Sequence, residues 1–179
     1  VLVLSGDHVY KMDYRALVHP HERTRAAVTI AVLPVAPERT RRFGMVTTEP
    51  DGRVVRFEEK PQHTDARLAS MGVYLFETGV LREALRGHPV DLAVDVLRPL
   101  VEAGERVQTC LFEGYWEDVG EVATYHRASL DLLKPEPRLQ LHDARWPVLT
   151  RDEERPPVLL LPGADVQGSL VANGCRVAG

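Results

Sequence analysis

The chain has 179 residues, of which 44% are hydrophobic and 27% charged, with a formal net charge of −4 and a pI near 6.0. That composition suits a soluble globular domain with room for a small appendage. It excludes a general electrostatic pull toward nucleic acid or acidic membranes, and no apolar stretch has the length of a membrane span. Cys110 and Cys175 match no zinc or redox spacing, and both fall in apolar runs, so buried free thiols are expected rather than a disulfide. The sequence shows no secretory leader, and the expected compartment is the cytoplasm.

The first element is the apolar run Val1-Leu2-Val3-Leu4, which reads as a central strand covered on both faces. Chain ends are usually exposed, so a buried strand at residue 1 predicts a fragment, as does the abrupt end at Gly179. A fragment cut at these points is expected to fold poorly by itself. Ser5-Gly6-Asp7-His8 is a polar turn at the carboxyl end of that strand, and Asp13 can cap a helix over 14–25 that Pro20 should kink or delay. The β-branched run 26–35 predicts a second buried strand, followed by a charged loop at 38–42.

Residues 43–48 and 53–58 read as a hairpin, with Asp51-Gly52 supplying the positive φ angles of a tight turn. LASMGVYLF (68–76) is a strand in which Gly72 permits a close approach to the backbone. Helices over 78–86 and 93–103, a strand over 106–112 and a helix over 121–133 complete an α/β layer with a mixed sheet. Apolar Val122, Tyr125, Ala128 and Leu132 mark the expected inner face of the last helix. The Pro-rich stretch 135–157 reads as a linker. From residue 158 onward, glycines and apolar residues recur near a six-residue spacing, the mark of a hexapeptide β-helix.

Several residues could carry chemistry. Asp7 stands at a strand's carboxyl end, where open α/β sheets bind ligands, and a carboxylate there can hold a hard cation on phosphates. Asp118, in YWEDVG, ends a second strand before a helix. Each is equally readable as a turn or helix cap, but two such aspartates make a metal pair more credible. Lys60, kept extended by Pro61, can present a point charge to phosphate, and Glu59 can accept from sugar hydroxyls; the alternative is a solvated charge cluster. Ser70 and Gly72 offer a hydroxyl and an open backbone, or only a bulge. His8, His63 and His126 have no metal-like spacing and read as structural or surface residues, and no activated nucleophile can be argued.

In this order and spacing, SGDHVY (5–10), FEEKP (57–61), SMGVYLF (70–76) and YWEDVG (115–120) resemble the bacterial glucose-1-phosphate adenylyltransferases, or ADP-glucose pyrophosphorylases. Trp146-Pro147 and the closing SLVANGCRVAG resemble that family's linker and the entry to its left-handed β-helix. The resemblance implies a Rossmann-like mixed-sheet nucleotidyltransferase domain over 1–134, a linker over 135–157 and the start of a left-handed parallel β-helix over 158–179. It implies Asp7 and Asp118 as the Mg²⁺ pair, Lys60 on the sugar phosphate, Glu59 and Ser70 on the glucose hydroxyls, and Phe43, Gly44 and Trp116 beside the sugar. The implied reaction joins ATP and glucose 1-phosphate into ADP-glucose for glycogen synthesis, in a homotetramer of the full-length form.

This chain departs from the family pattern in four ways. The glycine-rich nucleotide loop that normally precedes SGDHVY is not in the sequence, nor is most of the β-helix. The family's DFGKD reads Asp91-Leu92-Ala93-Val94-Asp95, with Val94 in the lysine position, and Pro20 enters a helix that the family leaves unbroken. Other readings are a pyrophosphorylase making UDP- or dTDP-glucose, and a non-catalytic subunit that only binds sugar phosphate. The isolated fragment is expected to be inactive.

Overall fold

Residues 1–149 and 154–179 are described by a computed structural model; residues 150–153 of the expected linker lie outside them. The chain divides into two units, Val1–Trp116 and Glu117–Gly179.

In the first unit β1 (Leu2–Leu4), β2 (His8–Tyr10) and α1 (Arg15–Thr24) come first, then β3 (Val28–Pro34). The hairpin strands β4 (Gly44–Thr48) and β5 (Val54–Glu59) follow, then β6 (Leu68–Phe76), α2 (Thr78–Ala84), α3 (Arg98–Glu102) and β7 (Val107–Leu111). The sheet runs β5-β4-β6-β3-β7, and β1 also pairs with β6. Pairings along β6 are antiparallel, whereas β3 and β7 are parallel, so the sheet is mixed as expected.

The expectation for the opening run is corrected. Among the described residues β1 pairs with β6 alone, and Leu2 and Leu4 are 37% and 43% exposed, so in this chain it is not a strand covered on both faces. Composition indicates which residues can be buried, but the number of strand neighbours and covering layers decides which are.

β3 fits its sequence expectation because both its faces are covered. Val28, Ile30 and Val32 face a core completed by Phe57, Tyr74, Phe76, Val96, Leu97 and Val107. Ala31 faces a second core with Leu17, Phe43, Met45, Met71, Val73 and Trp116. Leu17 is wholly buried, and removing such a side chain from water contributes about 2 kcal/mol.

Pro20 lies inside α1 without dividing it. A proline has no N–H for the carbonyl four residues back, here Ala16. That carbonyl accepts instead from the Cys110 thiol, with Sγ 3.3 Å away. The orphaned acceptor is thus satisfied from β7, and the helix runs on to a left-handed Arg25. Cys110 is partly buried and Cys175 exposed; both are free thiols, so burial of the second is not as the apolar run suggested.

The hairpin turn differs in detail. Gly52 takes a positive φ of 84° and Asp51 does not, so the turn is closed by Gly52 N–H to Glu49 O (3.0 Å) and Glu49 N–H to Arg53 O (2.8 Å). A register shift at Thr47/Thr48 absorbs the extra residue. The tip folds back on β7, where Gln108 donates to Asp51 O and Thr109 to Gly52 O.

β6 matches its expected span. Its pairing with β3 shifts between Ile30 and Val32, opposite Gly72 at φ +67°. A Cβ there would stand 3.0 Å from Ser5 Cβ and 3.1 Å from His8 Cε1. The close approach expected at Gly72 is therefore made by Ser5 and His8.

The DLAVD segment forms a π-helical turn, Ala93–Leu97, leading into α3. Asp91 accepts from the Ala93 and Val94 N–H groups, and Asp95 reaches back to those of Val90 and Asp91. This reciprocal capping satisfies orphan donors and uses nothing from the Val94 side chain.

In the second unit, α4 (Val122–Asp131) follows β8 (Trp116–Asp118), which straddles the division. Val122 and Tyr125 are 85% and 62% exposed, whereas Thr124 and Ala128 are buried, so the inner face of α4 is rotated from the one expected. β9 (Leu159–Leu160) pairs in parallel with β10 (Arg176–Val177), in the register Leu159↔Arg176. Among the described residues, no helix is long and apolar enough to cross a membrane.

Candidate active site

The turn after β1 is held by Ser5, whose N–H donates to Gly72 O (2.9 Å) and whose hydroxyl donates to Asp7 Oδ1 (2.8 Å). The Asp7 side chain is 59% exposed, and its Oδ2 has no hydrogen-bond partner among the described residues. One oxygen fixes the carboxylate and the other is left to act. That suits a hard-cation ligand, which needs an aimed, ionised oxygen.

His8, next in the chain, is largely but not wholly buried. Its ring stands edge-on to Trp116, 5.2 Å between centroids, and Nδ1 lies 2.7 Å from Met71 O. A carbonyl only accepts, so Nδ1 carries the hydrogen. The Trp116 indole N–H also approaches Nδ1, at 3.3 Å, but a protonated nitrogen cannot accept it, so the Met71 contact is the true hydrogen bond. Trp116 is 4% exposed and tilted over Phe43 at 5.0 Å, with the Arg39 and Arg42 guanidinium groups over the Phe43 ring. Phe43 and Trp116 therefore sit together, in the α1-side core, with His8 against the indole.

A second group forms around the β4–β5–β6 pairing. Gly44 is paired with Glu59, and a Cβ on it would meet Phe57 Cζ at 2.6 Å and Glu59 Oε2 at 3.0 Å. Glycine is needed here chiefly for the Phe57 ring, and it also leaves room for the Glu59 carboxylate across the strand. Ser70 is buried and donates to Tyr74 OH (3.1 Å), while accepting from Gly72 N–H (3.3 Å). Burial raises the Tyr74 phenol to about 12, and the Glu59 and Asp91 charges add to the rise. Glu59 thus lies in the same field as the mutually bonded Ser70 and Tyr74 hydroxyls.

Lys60 departs from its expectation. It is not extended but left-handed, at φ +43°, with its N–H donating to Phe43 O (3.1 Å). The residue before a proline is kept from the right-handed helical region, and the Phe43 bond selects the left-handed alternative. Nζ lies 3.8 Å from Glu59 Oε1, and the side chain is 66% exposed.

Asp118, in the second unit, uses Oδ1 to accept the Gly120 N–H (2.9 Å), with Oδ2 unpartnered among the described residues. The cap and the ligand readings are thus compatible, one oxygen for each. His8, Tyr74 and Asp91 were not picked out as site residues from the sequence. Tyr74 lay inside a motif already quoted, while His8 lacked any spacing signal.

The model of the nucleotidyl transferase family matches residues 1–135. The chain belongs to the nucleotidyl transferase family. It is also 48% identical to a glucose-1-phosphate adenylyltransferase of Thermomicrobium roseum, aligned over 99% of this chain and 42% of the relative. Relatives of the same name from Pseudothermotoga lettingae (40%) and Bacillus subtilis (39%) align over 100% of this chain and 44% and 49% of their own length. The chain thus spans somewhat under half of each of these relatives.

One property of this nucleotidyl transferase follows from Glu59. Burial raises its carboxyl above the usual range, opposed by Lys60 and reinforced by Asp91. A raised folded pKa means that the folded state binds the proton more tightly, so stability falls as pH rises through that pKa. Glu59→Gln is therefore expected to melt higher than the parent at neutral pH, with the gain shrinking toward acidic pH. Paired thermal melts across that range check it, and a gain independent of pH would contradict the burial argument.

Proposed function

We propose that the protein is a glucose-1-phosphate adenylyltransferase, forming ADP-glucose and pyrophosphate from ATP and glucose 1-phosphate for α-glucan synthesis. The observation carrying this reading is that relatives bearing that name align over 99–100% of this chain. The oxygen donors of Asp7 and Asp118, each with one oxygen fixed and one available, fit Mg²⁺.

In this reading the glucose 1-phosphate oxygen attacks the ATP α-phosphorus, the bond to the β-phosphate oxygen breaks, and pyrophosphate leaves. Bound Mg²⁺ would neutralise the phosphate charge. Glu59 and Ser70 hold the sugar hydroxyls, Gly44 gives the Glu59 side chain room and Gly72 gives Ser5 and His8 room, and Phe43 and Trp116 wall the sugar's side. Lys60 holds the sugar phosphate. Catalysis is then mainly positioning and charge neutralisation, with no covalent enzyme–nucleotide intermediate.

The reading extends to a cytoplasmic homotetramer with the catalytic domain over 1–134, the linker over 135–157 and a left-handed β-helix entered at 158. The parallel β9–β10 register supports the last of these, since its partners are 17 residues apart, close to three six-residue units. A substrate panel tests the activity. The protein as its gene encodes it should release pyrophosphate from glucose 1-phosphate with ATP far faster than with UTP or dTTP. A preference for another nucleotide changes the assignment, and sugar-phosphate binding without turnover reduces it to a binding subunit.

A further inference from the structure

We propose that His8 is itself a ligand, through Nε2, of the divalent cation that Asp7 holds; this rests on the metal reading above and adds a nitrogen to an otherwise all-oxygen site. The ring is 12% exposed and its orientation is fixed three times over. Met71 O takes the Nδ1 hydrogen at 2.7 Å, Trp116 stands edge-on at 5.2 Å, and Gly72 leaves the space that a Cβ would fill at 3.1 Å. With the Nδ1 hydrogen given to Met71 O, Nε2 is the ring nitrogen left to offer a lone pair to a metal.

What Nε2 faces is Asp7 Oδ1, 3.6 Å away. That is too long for a hydrogen bond. Oδ1 already accepts the Ser5 hydroxyl at 2.8 Å, but a carboxylate oxygen keeps a second lone pair and Oδ2 of the same group is unpartnered among the described residues, so Nε2 and this carboxylate can share a cation between them. Two ligand atoms each about 2.1 Å from one ion lie roughly 3–4 Å apart, which brackets the observed separation. A second hydrogen bond on the far ring nitrogen, to a backbone carbonyl, is also how metal-bound histidines are oriented. An imidazole would raise the site's affinity for Mn²⁺ or Co²⁺ relative to Mg²⁺.

Mn²⁺ bound to the protein as its gene encodes it provides the test. Electron spin-echo spectroscopy should show nitrogen modulation that changes with ¹⁵N-histidine labelling and disappears in His8→Gln, while Mn²⁺ affinity falls about tenfold. Mn²⁺ bound without nitrogen coupling, or coupling that survives His8→Gln, overturns the proposal and leaves the aspartate site standing. Mn²⁺ binding indifferent to Asp7→Asn instead removes the reading on which the proposal rests. Should His8→Gln not fold, the labelled unmutated protein still decides: histidine coupling at a site lost in Asp7→Asn supports His8, and its absence overturns it.

Discussion

Asp118→Asn is expected to lower Mg²⁺-dependent pyrophosphate release by at least about 10²-fold while leaving the melting temperature nearly unchanged. The two halves of that expectation have separate causes. Asp118 Oδ1 accepts the Gly120 N–H, a role that an asparagine carbonyl performs equally well, so the turn before α4 survives. What the substitution removes is the charge on the second oxygen, which the proposed metal requires. A capping-only role would leave turnover intact, and normal Mg²⁺-dependent kcat in the folded variant would end the metal assignment. Asp7→Asn is a matched control because the Ser5 hydroxyl can still donate to the amide oxygen.

Lys60→Ala is expected to raise KM for glucose 1-phosphate about 10- to 100-fold, with KM for ATP changed about twofold at most, in line with the loss of one charge-assisted hydrogen bond. Stability should fall little, because the exposed Lys60–Glu59 pair at 3.8 Å is worth at most about 1 kcal/mol. The backbone adds a second signature. Residue 60 sits at φ +43°, which costs a non-glycine residue about 1 kcal/mol, so Lys60→Gly should be more stable than Lys60→Ala by roughly that amount. Both variants should show the same defect toward the sugar phosphate. Steady-state kinetics with each substrate varied, together with urea unfolding, check both points. Equal effects on ATP and glucose 1-phosphate would remove Lys60 from the phosphate.

Much of the chain's local structure was legible because its signals are local. β6 follows from a largely apolar segment that closes on Val73, Tyr74, Leu75 and Phe76, and the hairpin follows from the turn residues between two strand-forming segments. The motif order around Asp7, Lys60, Ser70 and Asp118 identified the family before any geometry was known. The local signals failed where a distant residue intervened. Pro20 reads as a helix breaker until Cys110 is seen to satisfy the Ala16 carbonyl, from 94 positions away in sequence. Lys60 reads as extended until Phe43 O claims its N–H.

By itself the sequence determined the alternation of strands and helices, the mixed sheet and the motifs, since hydrophobic period and turn chemistry act over a few residues. Tertiary structure alone decided the rest. It paired β1 antiparallel with β6, it set Glu59 across Gly44, and it bonded Ser70 to Tyr74 in the field of that carboxylate. It also locked His8 between Met71, Gly72 and Trp116. The physical reason is that burial, hydrogen-bond partners and ring orientation are properties of pairs, and these pairs are brought together only by the closing of the sheet.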